Sequence, residues 1–402
     1  MNENSNPAAS TTNRSAQNTR IGFLWASKDR GFYAVEGFDK LYAGVGHNNG
    51  NLAFVYALEN QFEGTYLHTP WHTSPEHINA NCDVVVIPCA NQLGKHTDLG
   101  GLAKNIRQID CPVIAIGLGA QAKDFEADVE LSEGTADWLD ALLENGQRHG
   151  ITNIYTRGPY TTAQIRKLTG ADVQTGGCPT HFMSRNSQLG QAIQRNWDSN
   201  PLPRAIGVAG GHQAWGNIRV IEQQLIGLMM DPLYPGIYVP QSMADMIKIS
   251  RGLFDEIDPA ILDRIRQHTV PHYSLEAFKL WANRFAKSYY DIPAWADDLR
   301  RMDLVIGARY HGCAVAIQAE RMACTITIDS RTEEMCRETG VPFLRAQDLG
   351  SPLTRQTLKR DLIRFDADAF DALRSAKCKV YLDFLAGCGL KPAPYLHSIA
   401  TT

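Results

Sequence analysis

The sequence predicts an α/β protein in which two Rossmann-like domains face each other across a cleft. Short β-branched runs that end in Gly or Pro alternate with helical patterns, and this alternation is typical of parallel sheets. The alternation of strand and helix patterns is interrupted by an Asn- and Pro-rich stretch at 196–203 and resumes at residue 204. The 402 residues also exceed one average domain. One sheet is therefore expected on each side of residues 196–203.

The predicted strands are near-continuous apolar runs, as expected where both faces of a sheet are covered. In the first half they lie at 21–25, 65–68, 83–87, 113–117, 153–156 and 172–174, and in the second at 205–211, 236–240, 303–307 and 324–329. Apolar residues at helical spacing predict a closing helix at 366–390. The predicted division is a disordered leader at 1–19, domains at 20–203 and 204–365, the closing helix, and a tail at 391–402.

Composition and charge exclude several function classes. The 39 basic and 43 acidic residues give a net charge of −4 with no long basic run, so no nucleic-acid partner is expected. The apolar runs are strand-sized, far short of the about 20 residues of a membrane helix, so no transmembrane segment is expected. The polar N-terminal stretch lacks the apolar core of a secretion signal, so we expect a cytoplasmic protein.

The nine cysteines are scattered and form no CxxC pair. Neither a disulfide framework nor a zinc knuckle is expected from that pattern. Most of these thiols are interpreted as core filler, and no metal is expected.

The richest chemical pattern is Gly307-Ala-Arg309-Tyr-His311-Gly312, directly after a predicted strand. Arg309 and His311 are two residues apart, so they project to the same side if the strand geometry continues. An arginine fork binds carboxylate or phosphate, a histidine moves protons near neutral pH, and Gly312 allows an anion to approach a helix N-terminus. The pattern predicts an anion site with a proton donor. The alternative is a structural salt bridge for Arg309 and a helix cap for His311.

Two further arginines follow predicted strands. Arg157 lies at the tip of the strand at 153–156, and an interdomain ion pair is an equally good interpretation of it. Arg331 follows the strand at 324–329 on a polar segment, so a solvated surface position is its ordinary interpretation. Ligands of open α/β sheets bind outside the carboxyl ends of the strands, which makes both arginines candidates for the same cleft.

Small and polar residues at other strand ends and turns are candidates to line that cleft. Tight-turn chemistry explains the glycines among them equally well. The candidates are Asn49, Gly50, Asn51, Gly119, Gln121, Cys178 and His212.

Taken in order, five motifs resemble the polysaccharide pyruvyl transferase family. They are the Asn-x-Gly turn at 48–51, the glycine-rich segment at 117–121, Arg-Gly-Pro at 157–159, Gly-Cys-Pro at 177–179 and Arg-Tyr-His-Gly at 309–312. The resemblance covers roughly residues 20–342. Two positions depart from the family's pattern: Asn51 stands where an aspartate is usual, and Arg331 stands where relatives often carry lysine.

The resemblance implies an enzyme that transfers pyruvate from phosphoenolpyruvate to a sugar, forming a cyclic ketal across two hydroxyls and releasing phosphate. It also implies an architecture like that of the two-Rossmann (GT-B) glycosyltransferases. Arg157, Arg309 and Arg331 would bind the anionic groups of the donor, and His311 would be the acid. Phosphoenolpyruvate is a co-substrate here, and no cofactor is expected.

Two other functions remain open on these residues. The first is a nucleotide-sugar-dependent glycosyltransferase, with Arg309 on the diphosphate and Glu333 or Glu334 on the ribose, because one fold hosts many chemistries. The second is a non-catalytic binding protein, for which Asn51 is the only hint. The acceptor is expected to be a sugar, either free or lipid-linked. A lipid-linked acceptor would place the protein at a membrane surface. Aromatic residues are candidates to stack on it: Trp25, Tyr33, Phe38, Trp71 and Trp215.

Overall fold

The computed structural model describes residues 18–25, 37–122, 125–350 and 352–402. Eleven strands in this part of the chain form two sheets. The first contains β1 (Arg20–Leu24), β2 (Thr65–Thr69), β3 (Val84–Pro88), β4 (Val113–Leu118), β5 (Ile154–Thr156) and β6 (Gln174–Thr175), in the spatial order β2-β1-β3-β4-β5-β6. The second contains β7 (Ile206–Ala209), β8 (Gly236–Val239), β9 (Leu304–Gly307), β10 (Met322–Thr327) and β11 (Phe343–Arg345), in the order β11-β10-β9-β7-β8.

Every strand pair within these sheets is parallel, which confirms the predicted α/β class with two parallel sheets. The boundaries differ in detail. β10 begins and ends two residues before the predicted 324–329, because Met322 and Ala323 already pair with β9. β11 is an additional strand that the sequence did not predict. It is three residues long, only partly buried, and has no apolar run of the kind that predicted the other strands.

Seventeen helices occupy the described residues and cover the sheets. They are α1 (Phe38–Gly44), α2 (Asn51–Glu59), α3 (Pro75–Asn81), α4 (Gly100–Arg107), α5 (Glu133–His149), α6 (Pro159–Thr169), α7 (Leu189–Asp198), α8 (Arg219–Met229), α9 (Ala244–Ile249), α10 (Pro259–Thr269), α11 (Leu275–Phe285), α12 (Ile292–Leu299), α13 (Tyr310–Gln318), α14 (Ser330–Thr339), α15 (Arg355–Thr357), α16 (Ala367–Gly387) and α17 (Pro394–Ala400). None of these helices combines the length and apolar character needed to span a bilayer.

The C-terminal segment corrects one expectation. The predicted tail at 391–402 contains α17, whose Leu396 and Ile399 are buried in the core around β1 and β3. Helix α16 contributes Tyr381 and Leu385 to the same core, while its earlier residue Phe370 packs into the core of the second half. The C-terminal helices therefore pack against both halves. The predicted leader lies almost wholly outside the described residues.

Helix α2 couples the first half of the chain to the second. It begins at Asn51, directly after the Asn-x-Gly turn, and its Leu52 and Phe54 are buried in the same core as β7 and β9. The ring of Phe54 lies 5.5 Å from the ring of His311 on α13. Packing of α2 on the second half therefore fixes the turn at 48–51 relative to the carboxyl ends of the second sheet.

Candidate active site

One cavity of about 60 Å³ collects residues that follow five strands of the two sheets. We call it the anion cavity. Its lining includes Ala90 and Asn91 after β3, Arg157 after β5, Gln241 after β8, Arg309 and His311 after β9, and Arg331 after β10; the remaining lining residues are Asn48, Asn51, Trp215, Ala308, Tyr310, Thr332 and Met335. These described lining residues include three arginines and no aspartate or glutamate. Carboxyl ends of parallel strands are the usual location of ligand sites in such folds.

Arg309 presents an incompletely satisfied guanidinium to the anion cavity. Its Nη2 donates to Ser242 Oγ, and its guanidinium carbon lies 4.4 Å from the ring centre of Trp215. Its Nε is buried without a partner, and among the described residues no carboxylate lies within ion-pair distance of it. Burial, with Arg331 close by, lowers the pKa of Arg309 to about 10, so the side chain is still charged at neutral pH. A salt bridge with a described residue therefore does not account for Arg309.

Arg157 is buried, and backbone carbonyls of the first half already accept two of the hydrogen bonds that its guanidinium can donate. Nε donates to Gly117 O at 2.7 Å and Nη2 donates to Cys89 O at 3.0 Å, while Nη1 lies 3.4 Å from Met335 Sδ. These contacts hold the guanidinium at the interface of the two halves without a carboxylate partner among the described residues. Arg157 thus contributes a fixed positive charge more than an open bidentate fork.

Arg331 lies in the first turn of α14 and lines the same cavity. Its side chain is 23% exposed, and its closest carboxylate atom is Asp329 Oδ2 at 3.6 Å. The Arg331 Nε is buried without a hydrogen-bond partner. This position is not the solvated surface that is usual for a residue on a polar segment.

His311 lies in the first turn of α13, between the rings of Phe54 and Tyr310. Its Nε2 is 3.7 Å from the sulfur of Cys178. Burial, and then the positive charges of Arg157 and Arg331, hold its pKa well below the usual value, so the imidazole is neutral at neutral pH. No described side chain caps α13 at its N-terminus, so a capping role does not explain His311.

The turn at 48–51 is held in place by the segment after β8. The backbone N–H of Asn49 donates to Gln241 O at 2.8 Å, and Asn48 forms an isolated β-bridge with Ser242. The Gln241 carboxamide packs between two glycines: a Cβ on Gly50 would lie 2.7 Å from its Oε1, and one on Gly312 would lie 2.6 Å from its Nε2. That Nε2 is buried without a partner and belongs to a residue that lines the anion cavity.

A larger cavity of about 420 Å³ adjoins the anion cavity, and the two share Asn48, Asn51, Ala90 and Asn91. We call it the tryptophan cavity. Its other lining residues are Trp25, Gly46, Trp71, Gln92, His96, Thr97, Leu99, Leu102 and Trp138. None of the described residues that line it is an aspartate, glutamate, lysine or arginine. The indole Nε1 atoms of Trp25 and Trp138 are buried without partners, so both donors are unused.

Comparison with protein families gives a match over most of the chain. The model of the polysaccharide pyruvyl transferase family matches residues 28–330. The chain belongs to this family. No curated protein matches the chain.

This pyruvyl transferase family member also shows distant similarity to solved structures. It is 12% identical to the glycosyltransferase SnogD from Streptomyces nogalater, over 95% of this chain and 98% of that one, with a TM-score of 0.30. It is 12% identical to Os79 from O. sativa, solved with UDP and deoxynivalenol-3-glucoside, over 92% and 84% of the chains, with a TM-score of 0.32. A dipicolinate synthase from Bacillus halodurans is 9% identical over 89% and 99% of the chains, with a TM-score of 0.19.

The candidate cleft residues of this family member divide into lining and supporting positions. Asn51 lines both cavities, and its Nδ2 donates to Val45 O at 3.1 Å and to Gly46 O at 3.4 Å. Asn49 is buried behind the lining, where its Nδ2 donates to Tyr289 O. Gly119 packs against the stem of Arg157, where an added Cβ would lie 3.0 Å from Cδ.

The other candidates also support lining residues from behind. Gln121 accepts from the Asn91 amide. His212 stacks on Trp215 at 5.7 Å and does not itself line either cavity. Cys178 lies behind His311, as described above. Among the aromatic candidates, Trp25 and Trp71 line the tryptophan cavity and Trp215 lines the anion cavity; Phe38 stacks on Tyr42 and lies apart from both, and Tyr33 lies outside the described residues.

The two glutamates considered for a ribose are already engaged in protein contacts. Glu333 accepts from Arg337 and Arg345, which lower its pKa to about 2. Glu334 is buried and accepts from the Tyr160 amide at 2.6 Å, at the N-terminus of α6 in the opposite half. Among the described residues, no group of three or more His, Cys, Asp or Glu side chains is arranged to hold a metal ion.

Sequence reasoning missed Gln241, Ser242, Asn91 and Trp138. The first two directly follow the apolar strand β8 and its Pro240, which is the same signal that identified Arg157 and Arg309. Asn91 lies in the loop after β3 and carries the same positional signal. Trp138 lies within the amphipathic helix α5, where a tryptophan is ordinarily interpreted as core.

Proposed function

We propose that this protein transfers a pyruvyl group from phosphoenolpyruvate to two hydroxyls of a sugar, forming a cyclic ketal and releasing phosphate. The observation that carries the proposal is the anion cavity, whose described lining has three arginines, one histidine and no carboxylate. Phosphoenolpyruvate carries a carboxylate and a phosphate on three carbons, so it needs several cationic donors close together. Membership of the pyruvyl transferase family supports the transferred group.

Arg309 and Arg331 both line the anion cavity, and each keeps an unused N–H group. The buried Nε of each lacks a partner, so a bound carboxylate or phosphate oxygen would satisfy it. Arg157 adds positive charge but has committed its Nε and Nη2 to backbone carbonyls. The N-terminus of α13 and the small residue Gly312 permit close approach of an anion to backbone N–H groups.

The reaction requires a proton at C3 of the enol, and His311 is its source. Protonation of C3 creates an oxocarbenium-like centre at C2, which one sugar hydroxyl attacks. A second hydroxyl then displaces phosphate from C2 and closes the ketal ring, and its proton passes to the released phosphate. The arginines offset the charge that grows on the leaving phosphate, and they are already in position before the bond breaks.

The tryptophan cavity is the proposed acceptor site. Sugar rings combine apolar faces with hydroxyl edges, and this cavity combines indole rings with the amides of Asn48, Asn51 and Asn91. Because these three amide residues also line the anion cavity, a hydroxyl pair held there would face the donor. The absence of charged groups among the described lining residues favours an uncharged sugar unit.

Purified protein incubated with phosphoenolpyruvate and a panel of neutral saccharides tests the proposal. We expect sugar-dependent phosphate release and a product whose ketal methyl group carries one deuterium when the reaction is run in D₂O. Arg309→Ala is the matched control and should abolish most of both signals. Stabilisation and turnover with nucleotide sugars instead of phosphoenolpyruvate would identify a glycosyltransferase, and binding of phosphoenolpyruvate without any phosphate release would identify a binding protein.

A further inference from the structure

A buried thiol and the candidate acid meet across the two halves of the molecule. Cys178 follows β6 of the first sheet, and His311 follows β9 of the second. The Cys178 sulfur lies 3.7 Å from His311 Nε2, and the thiol is fully buried. No other cysteine among the described residues contacts a histidine nitrogen of the anion cavity.

The hydrogen bonds around the sulfur leave its own proton available. Thr180 Oγ1 donates to Cys178 Sγ at 3.1 Å, so the sulfur acts as an acceptor toward Thr180. The thiol proton is then free to be donated to His311 Nε2, since a thiol is both a weak donor and a weak acceptor. With Nε2 accepting from the thiol, the neutral imidazole carries its proton on Nδ1, which is the nitrogen left for the substrate.

We propose that Cys178 supplies His311 with the proton that the imidazole passes to phosphoenolpyruvate. This role rests on the proposed pyruvyl transfer. In the step, the Nδ1–H bond breaks and a C–H bond forms at C3, while Nε2 takes the proton from Cys178 and leaves a thiolate. When the sugar hydroxyl attacks C2, its proton goes to Nδ1 and the Nε2 proton returns to the thiolate. The pair thus moves one proton from the hydroxyl to C3 and ends in its starting state.

The surroundings of the pair suit such a relay. The groups that face it are Arg157 after β5, Arg331 on α14, and the hydroxyls of Tyr310 on α13 and Tyr155 on β5. Burial, and then the two arginines, hold the pKa of His311 well below its usual value, which makes a doubly protonated ring scarce in the resting site. The positive charge of Arg157 lies close to the Cys178 sulfur, and the Thr180 hydroxyl donates to that sulfur. Burial raises the pKa of Tyr310 well above its usual value, so that hydroxyl remains neutral.

The first test reads the tautomer of His311 in the resting protein and needs no turnover. In a ¹⁵N-histidine-labelled sample, the His311 signals are assigned by their loss in His311→Gln. We expect the Nδ1–H tautomer in the wild-type protein and in Cys178→Ser, whose hydroxyl still donates to Nε2. Cys178→Ala should lose this preference. Cys324→Ala, which removes a different buried thiol, is the matched control and should leave the tautomer unchanged. An Nε2–H tautomer in the wild-type protein would overturn the proposal.

The second test separates proton supply from positioning. Serine keeps the hydrogen bond but is a far weaker acid than cysteine, so Cys178→Ser should lose turnover on the order of 10²-fold at unchanged KM for phosphoenolpyruvate. In Cys178→Ala, His311 must carry the extra proton itself, so the fall of kcat at high pH should begin at lower pH than in the wild-type protein. Wild-type kcat in Cys178→Ser, or an identical pH profile in Cys178→Ala, would contradict the relay.

Failure of the relay and failure of the proposed function give different results. If the wild-type protein releases no phosphate from phosphoenolpyruvate with any sugar, the proposed function is wrong, and the tautomer still decides whether Cys178 donates to His311. If the wild-type protein makes the ketal and the Nδ1–H tautomer is absent, pyruvyl transfer stands and Cys178 has only a packing role.

Discussion

The anion cavity and the tryptophan cavity share a wall but are built for different kinds of ligand. Among the described lining residues, the first has three arginines and no carboxylate, and the second has three tryptophans and no charged side chain. Asn48, Asn51 and Asn91 belong to both. Under the proposed function, the donor would be recognised by charge and the acceptor by stacking and neutral hydrogen bonds. These three asparagines form a shared wall, and that wall is where the two substrates would meet.

The two cavities also differ in the electrostatic cost of their linings. Three like charges around one cavity repel each other, and burial lowers the pKa of Arg309 to about 10. A bound anion relieves both penalties, because it replaces lost solvation and neutralises charge. In the tryptophan cavity the described residues carry no such penalty apart from two unpartnered indole donors. We therefore expect anions to stabilise the fold more strongly than sugars do.

The largest predicted effect comes from removing the acid while leaving both cavities intact. His311→Gln keeps the size and polarity of the side chain but cannot transfer a proton. We expect turnover to fall by about 10²–10⁴ with phosphoenolpyruvate binding retained, as is usual for a positioned acid. Steady-state kinetics together with calorimetric binding measure the two quantities separately. A variant that turns over at the wild-type rate would remove His311 from the mechanism.

The second predicted effect is on donor affinity. Arg309→Ala should weaken phosphoenolpyruvate binding by about 10- to 100-fold, the range for losing a hydrogen bond to a charged group. Arg309→Lys should not rescue it, because a point charge lacks the planar fork and cannot stack on Trp215 in the same way. Arg331→Lys is the matched comparison and should cost less, because the Arg331 side chain is 23% exposed, whereas Arg309 stacks on Trp215. Near-normal donor affinity in Arg309→Lys would indicate a merely structural arginine.

Sequence reasoning located the charged cavity better than the neutral one, for a physical reason. Arg157, Arg309 and His311 each follow an apolar strand, and parallel topology brings such ends together, so a local motif predicts a long-range contact. Trp71 and Trp138 come from a loop and from an amphipathic helix, where tryptophan has no single structural meaning. The helix α17 was missed although Pro394 at its first turn and Leu396 with Ile399 three residues later are helical signals.

The third predicted effect tests the neutral cavity. Trp71 is partly buried and packs edge-on against Trp25 at 5.9 Å, so it can be changed with less damage than the fully buried Trp138. Trp71→Ala should raise the KM for the sugar by about 2- to 10-fold, the range for a lost aromatic contact, at unchanged donor affinity. Trp71→Phe should recover part of the loss. A change in donor affinity without a change for the sugar would reverse the assignment of the two cavities.

The smallest predicted effect concerns Asn51, which belongs to the shared wall. Its Nδ2 donates to the carbonyl oxygens of Val45 and Gly46, so its amide is used as a donor. In Asn51→Asp, an ionised carboxylate cannot donate and would face two carbonyl oxygens. The variant should lose about 1–3 kcal/mol of stability, and its negative charge near the arginines should weaken phosphoenolpyruvate binding less than Arg309→Ala does. Protonation of the carboxyl restores a donor and removes the charge, so both defects should shrink as the pH falls.

Asn51→Ala is the control, because it loses the hydrogen bonds without adding charge. It should share the loss of stability, show no such pH dependence and keep donor affinity. Equal donor affinity in Asn51→Asp and wild type across the pH range would show that Asn51 does not contact the donor, and the meeting point of the two substrates would then lie at Asn48 or Asn91.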